Sequence, residues 1–318
     1  MHRIRTISVA LALALLSISA HAASDTVRRT FNVQPGGTLT IEADLGDLTV
    51  RTAASNQVGV EVVRSGRATD VHDYELTFSQ EGNDVHVRGT YEHKWHMFDW
   101  NNLEAHYTVT VPSTYNVHLG TSGGDIRISD LHGEVICKTS GGSIDIGSIQ
   151  GDVDARTSGG NVKLASSSGK AELKTSGGDI KAGDVNGSLM ARTSGGSIDI
   201  HHVAGDLVAH TSGGSIDAGD VFGSIDAESS GGSIRASLAR QPHGASRLST
   251  SGGSITLTVA SNVAMDLDAH TSGGDVTTDM PVTILGRQSD STLNGKMNGG
   301  GPKLVLRSSG GDIKVRKM

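Results

Sequence analysis

The sequence predicts an all-β protein: a single-chain parallel β-solenoid of about ten 18-residue windings, preceded by an N-terminal β cap. Three observations carry that expectation. Glycine supplies 43 of 318 residues while aromatics are only 3%. A six-residue motif, [TS]-S-G-G-[DSN]-[IV], occurs ten times. Between its copies the apolar residues alternate with polar ones, the period of a strand with one face on a core.

The composition bounds the function as well. Five prolines exclude collagen, which needs glycine at every third position together with abundant proline. The apolar share of 36% is too high and too patterned for a disordered chain. A formal net charge of −7 gives no reason to expect nucleic acid as a partner.

Residues 1–22 read as a secretory signal peptide. Arg3 and Arg5 precede an apolar run from Ile7 to Ile18, and Ala20-His21-Ala22 is a small-x-small cleavage signal. The run is too short for the roughly 20 residues a bilayer-spanning helix needs, so no transmembrane segment is expected after cleavage. The mature chain is expected in the periplasm, outside the cell or on its surface. Cys137 is the only cysteine, expected as a buried apolar residue rather than a reactive thiol.

Residues 120–318 form the expected repeat domain. The first glycine of the motif falls at Gly123, Gly141, Gly159, Gly177, Gly195, Gly213 and Gly231, each 18 residues after the last. It continues at Gly252 and Gly273 after steps of 21, and at Gly310 after a step of 37. The second glycines, Gly124, Gly142, Gly160, Gly178, Gly196 and Gly214, complete the pairs, which are expected to supply positive φ and close backbone approach at a corner. A second series at Gly133, Gly151, Gly169, Gly187, Gly205 and Gly223 marks another corner. One unit is too small to bury a core, so units must stack, each strand pairing with its equivalents above and below. A left-handed hexapeptide helix would need an apolar residue every six positions; from Ile126 the next slots hold His132 and Lys138, which excludes it.

The longer steps are expected to absorb extrusions, one at Gln241-Pro242-His243 and a polar one from Gly286 to Pro302. A closing turn through Leu304, Leu306, Ile313 and Val315 would end the stack, with Lys314, Arg316 and Lys317 protecting its edge. Residues 23–119 hold nine of the ten aromatics and form the expected cap, with strands at Thr38–Ala43, Asp47–Arg51, Val58–Val63, Tyr74–Phe78, Asp84–Arg88 and His106–Val111. Within it, Gly46-Asp47-Leu48-Thr49-Val50 resembles a diverged unit of the repeat. No helix is expected.

The TSGGDI and SGGSIDI repeats, the opening Val33-Gln34-Pro35-Gly36-Gly37 and the closing Ser309-Gly310-Gly311-Asp312-Ile313 resemble the bacterial putative-adhesin β-strand-repeat family, a domain of unknown function related to adhesin head modules. The resemblance covers nearly the whole mature chain. It implies adhesion or envelope association, with a surface protein or glycan as partner, and implies no catalytic residue and no cofactor.

Other chemistries find less support in the residues. A calcium-binding β-roll needs a third glycine where Ile144 stands, and Asp145, Asp199 and Asp217 fall between inward isoleucines and point outward. A polysaccharide lyase or hydrolase of the β-helix type needs converging carboxylates walled by long loops, and the regular array has neither. His93, His96 and His106 are too irregularly spaced for a zinc site. The in-phase Asp125, Ser143, Asn161, Asp179 and Ser197 read as turn residues bonded to nearby backbone, and Thr139, Thr157, Thr175, Thr193 and Thr211 as a hydroxyl ladder. The stretch from Tyr91 to Asn102 holds Trp95, Phe98 and Trp100, packed on the cap or exposed as a platform for a partner.

Overall fold

The computed structural model describes residues 22–91, 103–286 and 288–318. The leader expected over 1–22 lies, except for Ala22, outside the described residues. Trp95, Phe98 and Trp100 lie outside them too, as do His93 and His96.

Among the described residues the chain is all-β apart from one five-residue helix, Ala68–His72. The described residues form two sheets of fifteen strands each, facing one another across a single hydrophobic core. The repeat produces them directly. Ile144, Ile146, Ile149, Val153 and Ala155 alternate with polar residues, and each is at most 3% exposed. Their equivalents stack in parallel at a shift of 18, so that Ile144 pairs with Val162, Val162 with Ile180, and Ile180 with Ile198. A strand spacing of about 4.8 Å then puts like residues in files along the molecule. Small aliphatic side chains suit the narrow space between the sheets. Cys137 fills one such slot at 1% exposure, and burial pushes its thiol pKa up, away from reactivity.

At the N-terminal end the chain runs through β1 (Ala22–Asn32), β2 (Thr38–Ala43), β3 (Asp47–Ala53), β4 (Gln57–Arg67), α1 (Ala68–His72), β5 (Tyr74–Glu81), β6 (Asp84–Tyr91), β7 (Glu104–Pro112), β8 (Asn116–Thr121) and β9 (Ile126–Ile128). All six expected strands are present, joined by β1 and β8. Spatial order departs from chain order. The β2–β3 winding pairs in parallel with β6–β7 on one side and with β8–β9 on the other. Leu48 of β3 sits beside Ile126, so the segment resembling a diverged unit takes the position of one. Outside β6–β7 the chain turns antiparallel: β4 pairs with β7, β1 with β4, and β5 with β6. Tyr74 and Tyr107 meet in the core here with hydroxyls 2.7 Å apart. A Cβ on Gly89 would strike both hydroxyls, so the smallest residue is required there.

The other end corrects two expectations. The last strands, Lys303–Ser308 and Ile313–Lys317, do not close the stack. They lie between the 246–259 winding and the 265–278 winding, so Lys314, Arg316 and Lys317 belong to an interior strand instead of guarding an edge. The excursion from Gly286 to Pro302 is no simple loop either. Thr292–Met297 runs antiparallel on Met265–Thr271, and Val282–Ile284 pairs with it in turn, covering that sheet's end. The extrusion at Gln241 is tethered, its side-chain amide bonding both the N–H and the carbonyl of Ala264 at 2.8 and 3.0 Å.

Arg307 locks the inserted winding in place, donating at 2.7 Å to both the carbonyl and the carboxylate of Asp268. That hydrogen bond holds the Asp268 carboxyl below its ordinary pKa. A depressed carboxyl stabilises the fold above its unfolded pKa, and the contribution disappears as pH falls through the folded value. In acid titrations monitored by urea unfolding, the wild type should therefore lose stability more steeply below about pH 4 than Asp268→Asn does.

Candidate binding surface along the repeat

The Gly-Gly corner explains why the faces are so regular. A Cβ on Gly142 would fall onto the carbonyl of Gly124, and the same collision recurs for Gly160, Gly178, Gly196 and Gly214 over the pair before. The first glycine is looser, most of all in the early windings: nothing lies within 4 Å at Gly123 and the nearest atom is 3.4 Å away at Gly141, whereas at Gly213 a carbonyl comes to 2.8 Å. None of these corner glycines has positive φ; left-handed glycines occur at other sites, such as Gly36, Gly46 and Gly133. Close approach of stacked backbones, not unusual torsion, is what demands glycine here.

Two side-chain ladders clamp the corner. The motif threonines are buried, so they are not part of any presented face. Thr193 donates to the carbonyl of Gly178 at 2.8 Å on the preceding winding and accepts from the N–H of Gly196 on its own. The pattern repeats at Thr139, Thr157, Thr175 and Thr211, a ladder from hydroxyl to glycine carbonyl. Each such buried bond contributes about 1 kcal/mol, and breaking it leaves an unpaired carbonyl. At the motif's fifth position the side chain reaches the next winding instead of its own turn. Asp125 accepts from the N–H of Ser143, Ser143 from Asn161, Asn161 from Asp179, and Asp179 from Ser197.

With the corner fixed, outward side chains are held in register. On one sheet the exposed file runs Arg127, Asp145, Lys163, Lys181, Asp199, Asp217, Arg235. Asp145 and Asp217 have cations beside them, Lys163 at 3.8 Å and Arg235 at 3.7 Å. The signs are mixed, so the field of this file largely cancels.

The other sheet is different. Lys138, Arg156, Lys174, Arg192 and His210 occupy consecutive register positions in one file, between Gly120 and Glu228. Beside it runs Ile136, Asp154, Glu172, Met190, Val208 and Asp226. Arg156 is held by Asp154 at 2.7 Å and by Glu172 at 2.9 Å, and Lys174 also pairs with Glu172. These bonds raise the Arg156 pKa, through Asp154 first, and lower that of Glu172, through Lys174 first. Among the described residues, Lys138 and Arg192 are both exposed and have no carboxylate within 4.0 Å.

The long cationic side chains stand beside a corner without side chains, which leaves a trough between them. Two grooves open there, of about 470 and 460 Å³. One is bordered by Lys138, Arg88 and Ser140 together with the carboxylates of Glu42 and Asp44, and the other by Lys174, Arg192, His210 and Ser194 with Glu228 at its far end. Ser140 lines the first groove and Ser176, Ser194 and Ser212 the second, all four exposed, with Ser158 exposed at the equivalent position between them. Composition hid this surface, because a negative chain directs attention away from cations. The signal was present as a basic residue or histidine two places before the Ser-Gly-Gly of five successive units.

Other candidate residues fall elsewhere. His106 lies 3.3 Å from Asp47 at the surface. Tyr91, the one described aromatic of its stretch, packs edge-on against Tyr74 with ring centroids 5.1 Å apart. Phe222 has His202 edge-on at 4.6 Å and the Arg240 guanidinium 3.9 Å over its ring, so its face is already covered. No helix among the described residues is long and apolar enough to cross a membrane.

No curated protein matches the chain. Solved structures similar to it include a putative adhesin from Bacteroides fragilis, 13% identical, with 92% of this chain and 97% of that one covered at a TM-score of 0.38. A putative cell adhesion protein from Clostridium sporogenes is 10% identical over 92% of this chain and 100% of its own, at a TM-score of 0.23. A putative lipid binding protein from Parabacteroides distasonis is 10% identical over 92% and 97%, at a TM-score of 0.28. The family model of the Toastrack DUF4097 domain matches residues 37–316, and the chain accordingly belongs to that family.

Proposed function

We propose that this chain is an exported, non-enzymatic, adhesin-like protein of the cell envelope, working in the periplasm or at the surface. It is a stiff scaffold that presents repeated weak contacts to an envelope polymer or protein. One observation carries the proposal: outward side chains of successive windings stand in files at a single strand spacing, as in Lys138, Arg156, Lys174 and Arg192. Such a file can meet a repeating partner many times at once, and linked weak contacts multiply into useful avidity. The rigid corners support this reading, because preorganised groups lose little freedom on binding. The partner's repeat must then match the protein's own.

Incubating the purified chain with envelope fractions and intact cells of the producing organism tests the proposal. Saturable retention that weakens as salt rises is the expected result. Absence of retention at low salt would overturn it.

A further inference from the structure

Deepening that proposal and resting on it, we infer that the trough beside Lys138–His210 binds a linear acidic polysaccharide with one carboxylate per sugar ring. Like charges directly opposite on neighbouring strands are destabilising. Five consecutive windings nevertheless carry Lys, Arg, Lys, Arg and His in a single file. The mixed file on the opposite sheet shows that the fold does not require this arrangement. Asp154, Glu172 and Asp226 offset that repulsion at Arg156, Lys174 and His210, and a partner bearing anions at the same period relieves what remains at Lys138 and Arg192.

The chemistry of the trough selects the kind of anion and polymer. Arg156 and Arg192 present planar forks that match a carboxylate bidentately, alternating with the point charges of Lys138 and Lys174. Arg156 and Lys174 already hold Asp154 and Glu172, so the carboxylate geometry this file accepts is visible within the protein itself. Lys138 and Arg192 are left to receive a ligand's carboxylates. The exposed hydroxyls of Ser176, Ser194 and Ser212 lie along the trough for a sugar's own hydroxyls, and Ile136, Met190 and Val208, on the far side of the cationic file, offer apolar surface to the C–H face of a ring. One extended uronate ring spans close to one strand spacing. From Lys138 to His210 is four spacings, about 19 Å, enough for roughly five rings. Beyond His210, Glu228 ends the file with the opposite charge.

Titrating the full chain with oligogalacturonates of one to eight rings, by calorimetry at low salt, tests the inference. Affinity should climb with length and level off near five rings. Lys138→Gln combined with Arg192→Gln should weaken binding at least about tenfold, while Lys181→Gln on the other sheet should change nothing. Both altered residues are exposed, and unchanged melting of the double variant confirms that its fold is intact. Neutral oligogalactose should not bind. The inference is overturned if the eight-ring oligomer fails to bind, if polyphosphate of equal charge binds as well, or if the double variant binds like wild type. The envelope-retention assay keeps the two proposals apart. Retention on envelopes without uronate binding overturns this inference alone, whereas loss of retention overturns the broader reading.

Discussion

Gly142→Ala should destabilise the protein by about 3 kcal/mol or more, while Gly141→Ala, one residue earlier, should cost under about 1 kcal/mol. The contrast isolates the physical demand at the corner. At Gly142 the new methyl would overlap the backbone carbonyl of Gly124, and no side chain can move aside to relieve it. The two windings must separate, which weakens the flanking bond from Thr157 to the Gly142 carbonyl, 2.8 Å long in the wild type. At Gly141 the methyl would rest 3.4 Å from the Gly123 carbonyl, an ordinary contact, and the loss of glycine's freedom in the unfolded chain works in its favour. Urea unfolding of both variants beside wild type decides the matter. Equal losses would show that the pair is needed for its torsions, which contradicts the negative φ at both positions.

The same corner shows what could be read from residues alone. The 18-residue period and the inward files were legible because every winding solves one packing problem with one set of side chains. Ile144, Val162, Ile180 and Ile198 could only be equivalents. The reason for the glycines was less legible, since sequence does not separate a residue chosen for its torsion from one chosen for its lack of a Cβ. The direction of the Asp125 to Ser197 bonds was hidden for a related reason: a short polar side chain at a turn can reach its own backbone or the next winding's with equal ease. The order of windings at the two ends was not legible at all. Gly310-Gly311-Asp312-Ile313 is in register with both Gly252 and Gly273, and a motif that fits every neighbour cannot name which one it joins. The cationic trough was legible position by position but needed the parallel register to become a file, because Lys138 and Arg192 lie 54 residues apart in the chain.

Ending the chain at Pro302 should therefore unfold far more than the sixteen residues removed. In a stack whose last winding is the last in sequence, trimming it merely exposes a new edge. Here the removed strands are, among the described residues, the only ladder between 246–259 and 265–278. Their loss removes Leu304, Leu306, Ile313 and Val315 from the core, each contributing about 2 kcal/mol by burial. It also takes Arg307 from Asp268 and the Gly311 carbonyl from the hydroxyl of Thr271. The orphaned winding could restack directly on 246–259, since both pair with the same residues of the missing one. The short connection opposes that. Val263 is buried, Asn298 bonds its carbonyl at 2.7 Å, and Gln241 grips Ala264, fixing the link at a length that spans the inserted winding. Hydrogen exchange should show amides of 265–271 and 292–297 losing protection together, while those of 144–203 keep theirs. Protection retained at 265–271 would mean that the link shortens and the two windings close the gap, and that the inserted strands are an addition to the stack instead of the piece that joins its end to its body.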